Sequence, residues 1–201
     1  MSTPARKRDS KASRRSIMEA ARKLLAQGGG ELEMAWVARE AGVSQGLAYH
    51  HFGSKEGLLS AVVNDLYERV EDAVLMARFD EYDDWEARER DRVRRYIDFL
   101  LGDPLGVTIN TRLASTPAVA AVAEQRWDKL ISAGARNIAD GQARGVVGAQ
   151  LDSNLLAAMT LGATRAAIGR ELAAGRPADP ARLGREIWAF IRRGLGLEET
   201  A

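Results

Sequence analysis

The sequence predicts an all-α fold, and three observations carry that expectation. Apolar residues recur at the i, i+3, i+4, i+7 spacing of one buried helix face. The apolar set, 46% of the 201 residues, is dominated by Ala and Leu with only 6% aromatic residues, and Ala and Leu are strong helix formers. Gly, Pro and capping residues stand at the ends of about nine such segments, and no convincing strand separates them.

The elements follow in order. Residues 1–9 read as a disordered basic arm. Ile17, Ala20, Ala21, Leu24 and Leu25 then mark one face of a helix from about Ser10 to Gln27, ended by Gly28-Gly29-Gly30. Met34, Val37, Ala38 and Ala41 define a short second helix. Gly42 turns the chain, and Ser44 is placed to cap a third helix over about Gln45 to Phe52. Lys55 opens a fourth, with an apolar stripe through about Ala77. Phe79 to Asp84 reads as a break before a fifth helix that runs to Leu101, where Gly102-Asp103-Pro104 stops it. Leu105 to Leu113 is a short helix. Thr116-Pro117 opens the next, to about Ala143, as a cap followed by Pro at the first helical position. Asp152-Ser153 and Asp179-Pro180 start the last two.

Bulk properties narrow the function classes. Cysteine is absent, so disulfide frameworks and thiolate chemistry are excluded. Met1 to Ser16 lacks the apolar run of a secretion signal, and no stretch is long and apolar enough for a bilayer; a cytoplasmic protein without a membrane partner is expected. The net charge of +1 is unevenly spread: residues 1–55 carry ten Lys or Arg against five Asp or Glu. Arg6, Lys7, Arg8, Lys11, Arg14, Arg15, Arg22 and Lys23 come first, directly before the segment Ala41 to Lys55. That segment reads as the turn and second helix of a helix-turn-helix, so the basic residues have a partner in the phosphates of double-stranded DNA.

Competing chemistries are weaker. The triple glycine lacks the preceding strand and the Gly-Lys-Ser/Thr of a phosphate cradle. His50 and His51 point about 100° apart on a helix and have no further His or Cys to complete a metal site. Asp80, Glu81, Asp83, Asp84 and Glu86 read as a solvated helix start. No catalytic constellation can be assembled, so neither an enzyme nor a cofactor or metal is expected.

A longer pattern sharpens the DNA-binding reading. It runs Arg15-x-Ile17-x-x-Ala20-Ala21-x-x-Leu24, then a glycine, then Val37-Ala38-x-x-Ala41-Gly42-Val43-Ser44-x-Gly46-x-x-Tyr49-x-x-Phe52-x-Ser54-Lys55-Glu56-x-Leu58-Leu59. On these residues the chain resembles the TetR family of transcriptional regulators. The resemblance covers about fifty residues. It implies that Gln45, Gly46 and Leu47 face base edges, Gln suiting adenine and an apolar group the thymine methyl. It implies that Tyr49, His51 and Lys55 meet phosphates, Lys55 at a helix N-terminus. Ser44, His50 and Arg14 complete the candidate DNA-binding set. One position departs from the family: Glu33 stands where Thr or Ser usually caps the second helix and touches a phosphate, so either another residue such as Trp36 or Arg39 supplies that contact or the affinity for DNA is lower.

The resemblance further implies an effector pocket among the fourth to seventh helices, for which Trp85, Phe99, Thr108, Asn110, Arg112 and Trp127 are candidates. Small residues at three- and four-residue spacings in the eighth helix, and an apolar ninth, suggest a two-fold interface formed by Leu156, Met159, Ala163, Ala166, Ala167, Ile187, Trp188 and Ile191, with internal packing of the two helices as the alternative. The expected organisation is a DNA-binding domain over 1–54 and a regulatory and dimerisation domain over 55–201. The expected function is that of a homodimeric repressor released from a palindromic operator by a small molecule. The alternative is a helical small-molecule-binding or interaction protein whose helix-turn-helix does not read DNA.

Overall fold

A computed structural model describes residues 4–75, 82–174 and 177–197. Among them are nine α-helices and no strand: α1 (Pro4–Gln27), α2 (Met34–Glu40), α3 (Gln45–Phe52), α4 (Lys55–Val70), α5 (Trp85–Gly102), α6 (Pro104–Thr108), α7 (Pro117–Ala143), α8 (Ser153–Leu172) and α9 (Pro180–Gly194). The fold is all-α, as expected.

Three elements differ from expectation. α1 begins at Pro4, so residues 4–9 are helical rather than a disordered arm; Pro is tolerated in a first turn because its missing N–H is not needed there. α4 ends at Val70 and gives way to a π-helical turn, Glu71–Leu75. The stretch beyond it, where the helix was expected to reach Ala77 and then break, lies outside the described residues as far as residue 81. The helix expected over 105–113 is α6 followed by a second π-helical turn, Ile109–Leu113. Asp103 both follows α5 and caps α6, its carboxylate accepting from Leu105 N at 2.9 Å with Pro104 in the first turn.

The chain forms two compact units. The first comprises 1–67 and 103–122, the second 68–102 and 123–201. In the first, Ile17, Ala21 and Leu25 of α1, Val37 of α2, Ala48 of α3 and Leu58, Val62 and Val63 of α4 are fully buried. α1 packs on α2 and α6, and α2 on α3. Arg22 joins these helices, with Nη1 2.5 Å from Asp65 and Nη2 3.7 Å from Asp103. The second unit is built on α5, α7, α8 and α9. Its core holds Ile97, Trp85, Ile168, Leu183, Ile187, Trp188 and Ile191. Buried Arg126 is held by Glu68 at 2.8 Å and Glu71 at 2.9 Å.

Candidate nucleic-acid interface

α3 is a short helix whose start is set by Ser44: its hydroxyl accepts from Leu47 N at 3.2 Å, the side-chain capping that satisfies a free N–H. Ala48 is the buried residue of α3, so the helix sits on the core by its small side and leaves the rest outward. Gln45, Gly46, Tyr49 and His50 are exposed, Leu47 and His51 half-buried. A Cβ at Gly46 would meet nothing within 4 Å, so this position presents bare backbone outward.

The junction to α4 is tight. Ser54 Oγ accepts from Gly57 N at 3.0 Å and caps α4. A Cβ at Gly57 would stand 2.2 Å from the Phe52 carbonyl oxygen, a separation no real side chain tolerates. Gly57 therefore fixes how α3 approaches the first turn of α4. The sequence reading did not single it out, because a helical glycine looks merely unfavourable until the crossing is seen.

The basic residues divide into two groups. Arg22 is committed to Asp65 and Asp103, Lys23 pairs with Glu40, and Arg15 pairs with its own-helix neighbour Glu19 at 2.8 Å. These side chains are neutralised within the protein. Arg14 instead lies exposed over the Phe52 ring, 5.1 Å from its centroid, a cation–π contact that orients the guanidinium without a carboxylate.

Lys55 Nζ lies 3.1 Å from Glu33 Oε1. Glu33 precedes α2 in the capping position, yet its side chain makes no capping bond. The carboxylate that departs from the family pattern is thus turned onto the lysine expected at a phosphate. Trp36 and Arg39 are both exposed on α2.

His51 is placed differently from a free phosphate ligand. Its Nε2 is buried and lacks a hydrogen-bond partner, and its ring packs between His50 and Phe52, with centroids 5.7 and 6.2 Å away. Burial, and then the charges of His50 and Arg14, push its pKa below the ordinary histidine value.

The second unit contains a partly open cavity of about 100 Å³ whose wall includes Val74, Trp85, Tyr96, Leu130, Thr164 and Trp188. Trp85 Nε1 donates to Asn137 O at 2.9 Å. A Cβ at Gly141 would come within 2.7 Å of the Trp85 ring, so the indole is seated against bare backbone. Hydrogen bonds from Arg88 and Arg144 hold Asp140, beside this wall, below the usual carboxylate range.

Of the residues expected in a pocket, Trp85 lines this cavity and the others do not. Phe99 lies under Arg69 at 5.4 Å, and Trp127 under Arg165 at 5.3 Å. Thr108, Asn110 and Arg112 belong to the first unit. There Thr108 is buried, Asn110 donates to Gly106 O at 2.8 Å, and Arg112 packs against Gly29.

The expected interface residues also separate. Leu156, Ile187, Trp188 and Ile191 are buried within the single chain, so they are core. Trp188 and Ile191 line the cavity itself. The apolar spacing of α9 is satisfied from inside its own unit, which spacing alone could not reveal. Met159 and Ala166 are exposed, Ala163 and Ala167 half-buried. Leu155, Met159 and Phe190 are the large apolar residues of α8 and α9 left to solvent, each at 60% exposure or more.

Residues 17–62 match the family described as bacterial regulatory proteins, tetR family. The HTH-type transcriptional regulator BetI of Stenotrophomonas maltophilia (strain R551-3) is 37% identical over 65 residues, 32% of this chain and 31% of that protein. BetI of Rhizobium meliloti (strain 1021) is 40% identical over 65 residues, 32% of each. The chain therefore spans about a third of the length of these curated relatives. A TetR-family transcriptional regulator from Pectobacterium atrosepticum is similar over almost the full length: TM-score 0.77, 25% identity, 99% of each chain covered. The fatty acid degradation regulator FadR of Bacillus halodurans shares the fold at TM-score 0.77 and 18% identity, over 95% of this chain and 96% of its own. No described helix is long and apolar enough to cross a membrane. Residues 17–62 thus match the tetR family of bacterial regulatory proteins, and the chain shares its fold with a TetR-family regulator over almost its full length.

Proposed function

We propose that this protein is a cytoplasmic, ligand-responsive transcriptional repressor that binds a palindromic operator as a homodimer. The observation that carries the reading is α3: a capped helix, buried through Ala48 and exposed along Gln45, Gly46, Tyr49 and His50, inside the segment that matches the family. A helix presented in this way fits a major groove. Gln45 and Leu47 read bases, while Tyr49, His50, Arg14 and Lys55 position the duplex. His51 holds the helix by packing. Two half-sites roughly 34–36 Å apart supply the specificity that one short helix lacks.

The dimer forms through the outer face of α8 and α9. Leu155 and Met159 are one turn apart on α8, and Ala163 and Ala166 continue their side with small residues that admit close helix approach. Phe190 adds an exposed ring from α9. Large apolar groups left to solvent on neighbouring helices are what a second copy would cover.

The second unit is the sensor. Val74, in its cavity wall, lies in the π-helical turn that directly follows α4 in the chain, and α4 starts at Lys55 beside α3. An effector that prefers one position of Val74 therefore biases α4 and the spacing of the recognition helices. Reversing a 1:99 balance takes about 5.5 kcal/mol of differential binding.

The test is a mobility shift on DNA flanking the protein's own gene. Tyr49→Ala should weaken binding to all sequences, and Gln45→Ala should change which sequence is preferred. Parent-like binding by both variants would falsify the assignment of α3. One observation favours the other reading, a helical binding protein that does not read DNA: the Glu33 carboxylate at 3.1 Å from Lys55. Absence of any shift, at low salt, would select it.

A further inference from the structure

The cavity in the second unit carries enough chemistry to name the class of molecule it takes. Its wall is mostly apolar, and three aromatic side chains, Trp85, Tyr96 and Trp188, belong to it. Two charged residues also line it, Glu89 and Arg92. Both are nearly enclosed, each side chain 12% exposed, and they bind one another at 3.1 Å. Glu89 accepts a second bond from Arg88 at 3.0 Å, Arg92 donates to the Val74 carbonyl, and Arg88 is itself held by Asp140 at 2.7 Å. The two guanidinium groups and two carboxylates cancel, and each is already bonded.

A charged ligand entering here would lose its water without meeting an uncommitted counter-charge, and burying such a group is costly. An uncharged ligand has no such cost. Tyr96, Asn137, Thr160 and Thr164 also line the wall, and the two threonines say more. Thr164 Oγ1 donates to Thr160 O at 2.8 Å, and Thr160 Oγ1 donates to Leu156 O at 2.9 Å. A hydroxyl has one hydrogen and two lone pairs. With the hydrogens given to the backbone of α8, these two threonines of the wall retain only acceptor capacity. Opposite these two threonines, the matching ligand group is an O–H or N–H donor. Size favours a compact ligand: an apolar cavity of about 150 Å³ accommodates benzene, and this one, at about 100 Å³ and partly open to solvent, seats a single ring with its substituent toward the opening.

We propose that the cavity lined by Trp85, Tyr96, Thr160, Thr164 and Trp188 takes a compact, uncharged, single-ring aromatic molecule that bears one hydrogen-bond donor, with a phenol as the simplest case. The proposal deepens the sensor reading given above and rests on it for biological meaning. The binding chemistry itself does not depend on DNA.

The experiment uses the full-length protein and four probes of similar size: 4-methylphenol, 4-methylanisole, benzoate and benzylammonium. Binding is read from the fluorescence of Trp85 and Trp188 in the wall, with thermal shift as a second signal. 4-Methylphenol should bind tightest, and 4-methylanisole, which lacks the donor, about tenfold more weakly. Benzoate and benzylammonium should give no saturable signal. Thr164→Val and, separately, Thr160→Val should weaken the phenol while leaving the anisole unchanged. The contrast is measured within each folded variant, so a general loss of stability does not imitate it. Equal or tighter binding of either charged probe overturns the proposal, as does failure of both neutral probes or an unchanged phenol affinity in both valine variants. Release of DNA by 4-methylphenol is scored separately in the mobility shift. Binding without release leaves the ligand class standing and removes the sensor role.

Discussion

Glu33 and Lys55 set the balance of the DNA-binding surface at the scale of single residues. Their pair is exposed on both sides, 56% and 45%, and exposed pairs contribute only about 0.2–1 kcal/mol to folding. At the proposed interface its larger effect is on DNA: a carboxylate occupies the ammonium group that would meet a phosphate. Glu33→Gln should therefore leave the melting temperature almost unchanged and tighten DNA binding several-fold. The salt dependence should steepen by about one unit, the value of one added phosphate contact. Lys55→Ala should cost more affinity in the Glu33→Gln background than in the parent. Anisotropy titrations across a salt series decide this, and an unchanged slope in Glu33→Gln sinks it. His51 supplies a pH effect of definite sign. Its folded pKa lies below the unfolded value of about 6.5, so the unfolded chain binds more protons in that range and stability falls as pH drops below about 6.5. Thermal melts between pH 7.5 and 5 should show a smaller drop for His51→Gln than for the parent; parallel curves would remove His51 from this role.

At the scale of elements, the α3–α4 corner matters most. Ser44 and Ser54 cap the two helices, and of the two only Ser44 was legible in the sequence as a start signal. Gly57 was not. Helix propensity alone makes Gly→Ala favourable by about 1 kcal/mol. The 2.2 Å approach to Phe52 O opposes it, and relieving such overpacking typically costs about 1–3 kcal/mol. The clash wins, so Gly57→Ala should lower the stability measured by urea unfolding and reduce DNA affinity together, because the corner must open. A variant as stable as the parent would show that the junction yields easily. Helix boundaries were predictable at Asp152, Asp179 and Thr116-Pro117, where a cap or Pro marks an apolar-periodic segment. They slipped at α1, whose Pro4 start precedes a basic stretch without such periodicity, and at α4, which passes into a π-helical turn at Glu71 with no signal in the apolar stripe.

At the scale of the whole molecule, α8 is apolar on more than one side. Leu156, Ala157, Thr164 and Ile168 are buried in its own unit, while Leu155 and Met159 face solvent. Met159→Glu and Phe190→Glu should each yield monomers by light scattering while keeping the helical content, because both residues lie outside the core of the single chain. They should also weaken operator binding, since half-site pairing would be lost. Persistent dimers in both variants would place the interface elsewhere.

The amino-acid sequence alone determined the all-α class, the α2–α3 helix-turn-helix and the family resemblance of its N-terminal segment, because these rest on local periodicity, caps and a fixed spacing of residues close in the chain. Tertiary structure alone decided which charges are spent. Arg22 and Lys23 look identical to Arg14 in a string of letters, yet they meet Asp65 and Glu40 while Arg14 lies over Phe52. It likewise placed Trp188 and Ile191 in a cavity wall and Arg112 against Gly29. The physical reason is common to all three. A side chain's spacing tells which helix face it occupies, but its partner comes from residues distant in the chain, and only packing brings those together.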